Sequence, residues 1–267
     1  MATASKQLSA PVMDEADFEC LTRAHHCLEH PSFAARLTNV VGTPIDIALQ
    51  LLPKSWYRRL HGAAEAAITK ALAVGMSSMR HEHEPSAHER LYRVLAAGSG
   101  AAGGLFGLAG LAVELPVTTT LMLRAIAEIA RNEGENIHDP DTRAACLEVF
   151  ALGGRSELDD AADTGYYGVR LALAAYIGSS ILRSPQLPNT SAHLVSMVAN
   201  RFGASLSQRG AAQLLPVVGA LGAATINTIF MHHFQDMARG HFSVRRLERK
   251  YGVEVVRSHY EGLGTPA

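Results

Sequence analysis

The sequence predicts an all-α protein, a single-domain multi-helix bundle with two Gly/Ala-rich helical hairpins at its centre. Three observations carry that expectation. Apolar residues recur at helical spacing rather than in strict alternation. Strand-like runs of Val, Ile, Thr and aromatic residues between turn signals are scarce. Helix-start and helix-stop residues stand at the edges of the periodic stretches. At 48% hydrophobic, the 267-residue chain can bury a substantial core.

Residues 1–12 read as a disordered amino-terminal tail, 13–262 as one helical domain and 263–267 as a carboxyl-terminal tail. Met1 to Pro11 holds one lysine and no apolar run, so it lacks the apolar segment of a signal peptide. Helices are expected near 14–29, 44–51 and 54–79, followed by a polar break at 80–88. From Val94 to Leu123 the only charged residue is Glu114. Gly100/Gly104 and Gly103/Gly107 form overlapping GxxxG pairs there, whose missing side chains let another helix approach the backbone closely. Pro116 is expected to divide this stretch into a helix ending near Val113, a turn, and a second helix through Arg124 and Glu128.

Asp139-Pro140-Asp141 reads as an N-cap, a proline at the first helical position and an acidic first turn, leading into Ala144, Leu147 and Phe150. A break at 153–165 precedes a helix over 166–182. After a second break at 183–191, with Pro185 and Pro188, Ser191 is a natural N-cap for the stripe Leu194, Val198, Phe202 and Leu206. Gly210 to Gln235 contains no Lys, Arg, Asp or Glu and carries Gly219 and Gly222 among alanines. A last helix over 241–251 stops at Tyr251-Gly252.

Charge and cysteine content exclude several functions. Lys plus Arg (24) and Asp plus Glu (25) nearly cancel, which removes the electrostatic case for a nucleic-acid binder. Cys20, Cys27 and Cys146 form no CxxC pair, so neither a disulfide framework nor a zinc ribbon is indicated, and a reducing cytoplasm fits best. The two apolar segments are each about long enough to cross a bilayer, which needs roughly 20 apolar residues. Alanine and glycine bring little transfer free energy, however, and no Lys/Arg bias marks one side. Tightly packed central hairpins, shallow insertion and true spanning are the alternatives. Arg239, Arg245, Arg246, Arg249 and Lys250, offset by Glu248, form either a solvated basic face or a patch for anionic headgroups.

Polar residues inside apolar helices are the candidate site: Glu114, Arg124, Glu128, Gln213 and Asn227. A buried charge is costly without a partner, so Arg124 and Glu128, one turn apart, are expected to pair, and Glu114 needs a donor or a raised pKa. Locking of hairpin packing and ligand binding or catalysis are both open to such a set. No metal site is expected. The alternative is Glu114 with His232 and Asp236, the last two sharing a helix face. HExxH, GxSxG and P-loop signatures are absent, and no cofactor is expected.

Gly98-Ser99-Gly100 with Gly103-Gly104, then Glu114-Leu115-Pro116-Val117-Thr118-Thr119 and Arg124-Ala125-Ile126-Ala127, resembles the most recognisable block of the EcsC family. The agreement continues through Gly134-Glu135-Asn136, Asp139-Pro140, Cys146 to Gly153, Pro216 to Ala220, Ile226-Asn227 and His241-Phe242, roughly residues 34–260. The resemblance implies a mostly helical cytoplasmic protein, peripherally associated with the inner membrane. Its implied partner is the membrane surface or a membrane protein, the companion ABC transporter of the family. No catalytic residue is carried over by it. A metal-dependent hydrolase and a helical binder of a lipid or other apolar ligand are the alternative functions, and the sequence does not set the oligomeric state.

Overall fold

The computed structural model describes residues 13–30, 33–50, 52, 54–75, 107–154, 165–183, 188–214 and 220–264, and every regular element among them is an α-helix. In chain order these are α1 (Glu15–Glu29), α2 (Phe33–Val41), α3 (Ile45–Gln50), α4 (Lys54–Gly75), α5 (Gly107–Asn132), α6 (Pro140–Leu152), α7 (Tyr166–Arg183), α8 (Pro188–Leu214), α9 (Ala220–Tyr251) and α10 (Val253–Leu263).

α9 is the spine. Its 32 residues span about 48 Å. α1, α2, α5, α6, α8 and α10 all pack against it, while α4 lies across α5 and α8. Phe230 and Phe234 of α9 meet Phe150 of α6 and Phe202 of α8, with ring centroids between 5.0 and 5.9 Å apart. Their tilted and edge-on geometry is the arrangement aromatic quadrupoles favour.

Long-range contacts fix the helix directions. Arg209 of α8 lies over Phe230, and Phe202, two turns earlier, meets Phe234, so α8 and α9 are antiparallel. Glu114 near the start of α5 bonds Arg209, whereas Glu133 and Glu135 just beyond its end bond Arg246 and Arg245. α5 and α9 therefore run parallel.

Local signals explain most element ends. Asp14 caps α1 by accepting from the Asp17 amide at 2.8 Å, and Asp139 caps α6 by accepting from the Asp141 amide at 3.0 Å. Pro140 follows at the first helical position, where no N–H is needed. Gly252 ends α9 with φ at 93°, a left-handed conformation that suits glycine. The chain then starts α10, an element the sequence reading did not include, as it did not include α2.

The structure corrects three expectations. Pro116 does not divide its segment: α5 is continuous from Gly107 to Asn132 with Pro116 inside it. Pro116 is only half-buried and the next residue, Val117, is exposed, so the ring sits toward the outer side while packing on α4 and α9 holds the inner side. The helix expected from Ser191 already begins at Pro188, and the segment 241–251 is the end of α9 rather than a separate helix. Among the described residues no helix is long and apolar enough to cross a membrane. Gly107 opens α5 and Gly222 is half-buried on α9. Gly100, Gly103, Gly104 and Gly219, with the break at 80–88, lie outside the described residues.

One close approach depends on glycine. The α6 terminus runs into α8 and α9 at Gly153-Gly154, where a Cβ on Gly154 would collide with the Arg201 backbone and one on Gly153 with the Phe234 ring. The Gly153 carbonyl accepts from the Ser205 hydroxyl at 2.6 Å and faces His233 Nε2 at 2.8 Å. Burial pushes His233 down to about 4, so its imidazole is neutral and Nε2–H donates to that carbonyl.

Candidate functional site

The first polar centre sits where α5, α8 and α9 meet. Over 107–123, 202–214 and 220–235 these helices carry only two charged residues, Glu114 and Arg209. Arg209 is fully buried and Glu114 nearly so. Arg209 Nη2–H donates to Glu114 Oε1 at 2.5 Å, and the Thr118 hydroxyl donates to the same oxygen at 3.1 Å. The guanidinium also stacks 5.0 Å above the Phe230 ring. Burial lowers the Arg209 pKa, and the charge and hydrogen bond of Glu114 oppose that shift. Guanidinium remains protonated in proteins, so this is a charged pair in an apolar setting.

Of the other expected site residues, Gln213 stands one turn beyond Arg209 on α8, half-buried, and Asn227 is fully buried on α9. Glu128 is buried and Arg124 half-buried, one turn apart on α5. Arg209, absent from the residues expected at the site, is the donor that Glu114 needs. The available signal was its isolation, since Arg209 is the only cation from 202 to 235.

A second centre, also missed, joins α6, α7 and α9. The Tyr166 hydroxyl lies 3.0 Å from His241 Nδ1, and His241 Nε2 faces Glu148 Oε2 at 3.6 Å. Arg170 binds both oxygens of Glu248, at 2.7 and 3.1 Å, and its Nε is 4.0 Å from Glu148. The Tyr167 hydroxyl donates to Glu248 Oε1 at 2.9 Å. Glu29 of α1 accepts from the Tyr166 amide and the Tyr260 hydroxyl, both at 2.9 Å. Burial pushes Glu148 up and His241 well below the ordinary histidine range, the latter with help from Arg170 and Arg245. Tyr166 and His241 are fully buried, so this centre ties helices together. Burial likewise pushes the Cys146 thiol up to about 12, which suits a packing residue rather than a nucleophile.

The basic carboxyl-terminal face is not a set of unengaged cations. Arg239 bonds Asp236, Arg245 and Arg249 bond Glu135, Arg246 bonds Glu133 and Asp17, and Lys250 bonds Asp14 and Asp17. Five cations thus meet five carboxylates. Glu248, read as offsetting this face, instead holds Arg170.

The alternative metal set does not assemble. His232 Nδ1 lies 2.7 Å from Asp236 Oδ2, and Arg36 Nη1 lies 3.0 Å from that nitrogen and 3.4 Å from that oxygen, while Glu114 is held by Arg209. Among the described residues no group of three or more His, Cys, Asp or Glu side chains is placed to hold a metal ion.

In comparison with known families, the model of the EcsC protein family aligns with residues 19–247. Comparison with curated proteins and with solved structures returns no significant match.

Proposed function

The chain belongs to the EcsC protein family, and on that premise we propose that it is an accessory protein of the cytoplasmic membrane face, docking peripherally and working beside an ABC transporter. One observation carries the reading. The α5, α8 and α9 segments around Glu114 offer a membrane no net charge, because their only two charged residues neutralise each other. Docking there would desolvate no unpaired charge, and the exposed Val117 gives it an apolar contact. The opposite end, with its exposed ion pairs, would face the aqueous side.

Liposome flotation tests the reading. Since the basic face is already matched by carboxylates, docking is expected with neutral as well as anionic vesicles and to persist in high salt. Failure to float with either vesicle would overturn docking. Flotation only with anionic lipid, abolished by salt, would transfer the contact to the basic face and contradict the uncharged-end assignment.

A further inference from the structure

A charged cluster open to solvent stands where α2 packs on α9. His232, Asp236 and Arg239 occupy successive turns on one side of α9, and Arg36 faces them from α2. Phe33, stacked 4.8 Å from the His233 ring, fixes the two helices beside them. At 2.7 Å, His232 Nδ1 and Asp236 Oδ2 must have a proton between them, so Nδ1–H donates to the carboxylate and Nε2 is the remaining nitrogen. Asp236 Oδ1 accepts from Arg239 Nη1–H at 2.8 Å, and Oδ2 accepts also from Arg36 Nη1–H at 3.4 Å. One carboxylate thus orients an imidazole and two guanidinium groups.

The atoms left over define a binding site. Arg36 engages only Nη1, so Nε–H and Nη2–H, the parallel donors along one edge of the guanidinium, have no partner among the described residues. His232 Nε2 has none there either. Arg36 and Arg239 are each 41% exposed and His232 38%, so a ligand reaches them directly from water and no cavity is needed. Charge selects the ligand. Arg36, Arg239 and a protonated His232 against one carboxylate leave two positive charges. The Cys27 thiol, pushed up by burial and by Asp236, and the buried neutral His233 add none. A phosphomonoester dianion cancels that charge, whereas a carboxylate or a phosphodiester cancels half of it. We propose that Arg36, His232 and Arg239 bind a phosphomonoester, with the free edge of Arg36 on two phosphate oxygens and His232 Nε2–H on a third. Asp236 is the positioning residue. A soluble phosphomonoester and the headgroup of phosphatidic acid both carry this group.

Two arms distinguish those sources. The full-length protein is titrated calorimetrically with glycerol phosphate and with acetate, and is floated with phosphatidylcholine vesicles containing phosphatidic acid or phosphatidylglycerol at matched surface charge. Binding of glycerol phosphate assigns the soluble source, and a preference for phosphatidic acid without such binding assigns the lipid. Arg36→Gln should weaken the phosphate interaction at least about tenfold, the effect of lost charge-assisted hydrogen bonds. Arg36→Lys, which keeps the charge without the paired donors, should not restore it, and His232→Phe should weaken it as well. Arg23→Gln, at an exposed cation of α1, should leave it unchanged. All four variants should keep the wild-type circular dichroism spectrum. Absence of phosphate recognition in both arms, acetate binding as tight as glycerol phosphate, or an Arg36→Gln or His232→Phe variant that binds like wild type would each overturn the site. Docking is read on pure phosphatidylcholine vesicles, where Arg36→Gln should change nothing, so the two readings fall separately.

Discussion

At their carboxyl-terminal ends α5 and α9 are joined by a half-exposed lattice in which Arg245, Arg246 and Arg249 share Glu133 and Glu135, extended by Lys250 to Asp14 and Asp17 of the α1 region. At their amino-terminal ends the same two parallel helices meet around one buried pair, Glu114 and Arg209, contributed by α5 and α8. The difference shows that the number of ion pairs is a poor measure of what holds a region together. Exposed pairs are individually weak because water solvates their partners almost as well. A buried pair adds little net stability over an apolar substitute, but breaking it strands a charge.

The largest expected effect follows from that asymmetry. Arg209→Met should cost about 3–5 kcal/mol in urea unfolding, because Glu114 would be left buried and uncompensated. The double replacement Glu114→Leu with Arg209→Met should recover most of that loss. A single variant that unfolds like wild type would break the comparison.

The second effect separates the regions by pH. His233 is neutral in the fold, with its pKa depressed to about 4 from 6.5 by burial. Between those values the unfolded chain binds more protons, so stability is lost as pH falls from about 6.5 to about 4, by roughly 3 kcal/mol for the full shift. His241 acts in the same direction, whereas Glu148, raised by burial, disfavours the fold as pH rises above the ordinary carboxylate range. The charged end titrates later. Asp14 is held at about 2 by the Asp17 amide, Lys250 and Tyr251. Asp17, held chiefly by Lys250, is also depressed, as is Glu135, whose Arg245 and Arg249 contacts outweigh its burial. Their contribution is present above the ordinary carboxylate pKa and lost as pH falls toward about 2. Urea midpoints measured along a pH series should decline in two stages, and His233→Gln should shrink only the first, leaving the part that His241 contributes.

Gly154→Ala should cost about 1–3 kcal/mol, since the added methyl meets the Arg201 backbone rather than a side chain that could swing away. The smallest effect belongs to the lattice: Arg249→Gln should cost less than about 1 kcal/mol, and that cost should shrink further in salt. Thermal or urea unfolding of these two variants in parallel ranks the two kinds of contact directly.

Much of the architecture was legible because its signals are local. The Asp139-Pro140 start, the Gly252 stop and the stripe Val198, Phe202 and Leu206 follow from caps and periodicity within a few residues. Pro116 misled because its penalty is also local, whereas the packing of α5 against α4 and α9 that overrides it is not. The candidate site was half legible. Glu114 stood out as a lone carboxylate in an apolar run, but its partner lies 95 residues away on α8. The Tyr166, His241 and Glu148 centre draws on three helices, and no spacing along the chain announces it. The basic face looked available because all its carboxylates but Asp236 belong to the α1 region and the turn after α5.

The most direct test is a double-mutant cycle on Glu114 and Arg209, using Glu114→Leu, Arg209→Met and the pair, with unfolding free energies measured at low and high salt. A buried pair should give a coupling energy above about 2 kcal/mol that salt leaves unchanged. A coupling below about 0.5 kcal/mol, or one that salt screens away, would mean that the two groups are solvated and that the uncharged end is not closed by their mutual neutralisation.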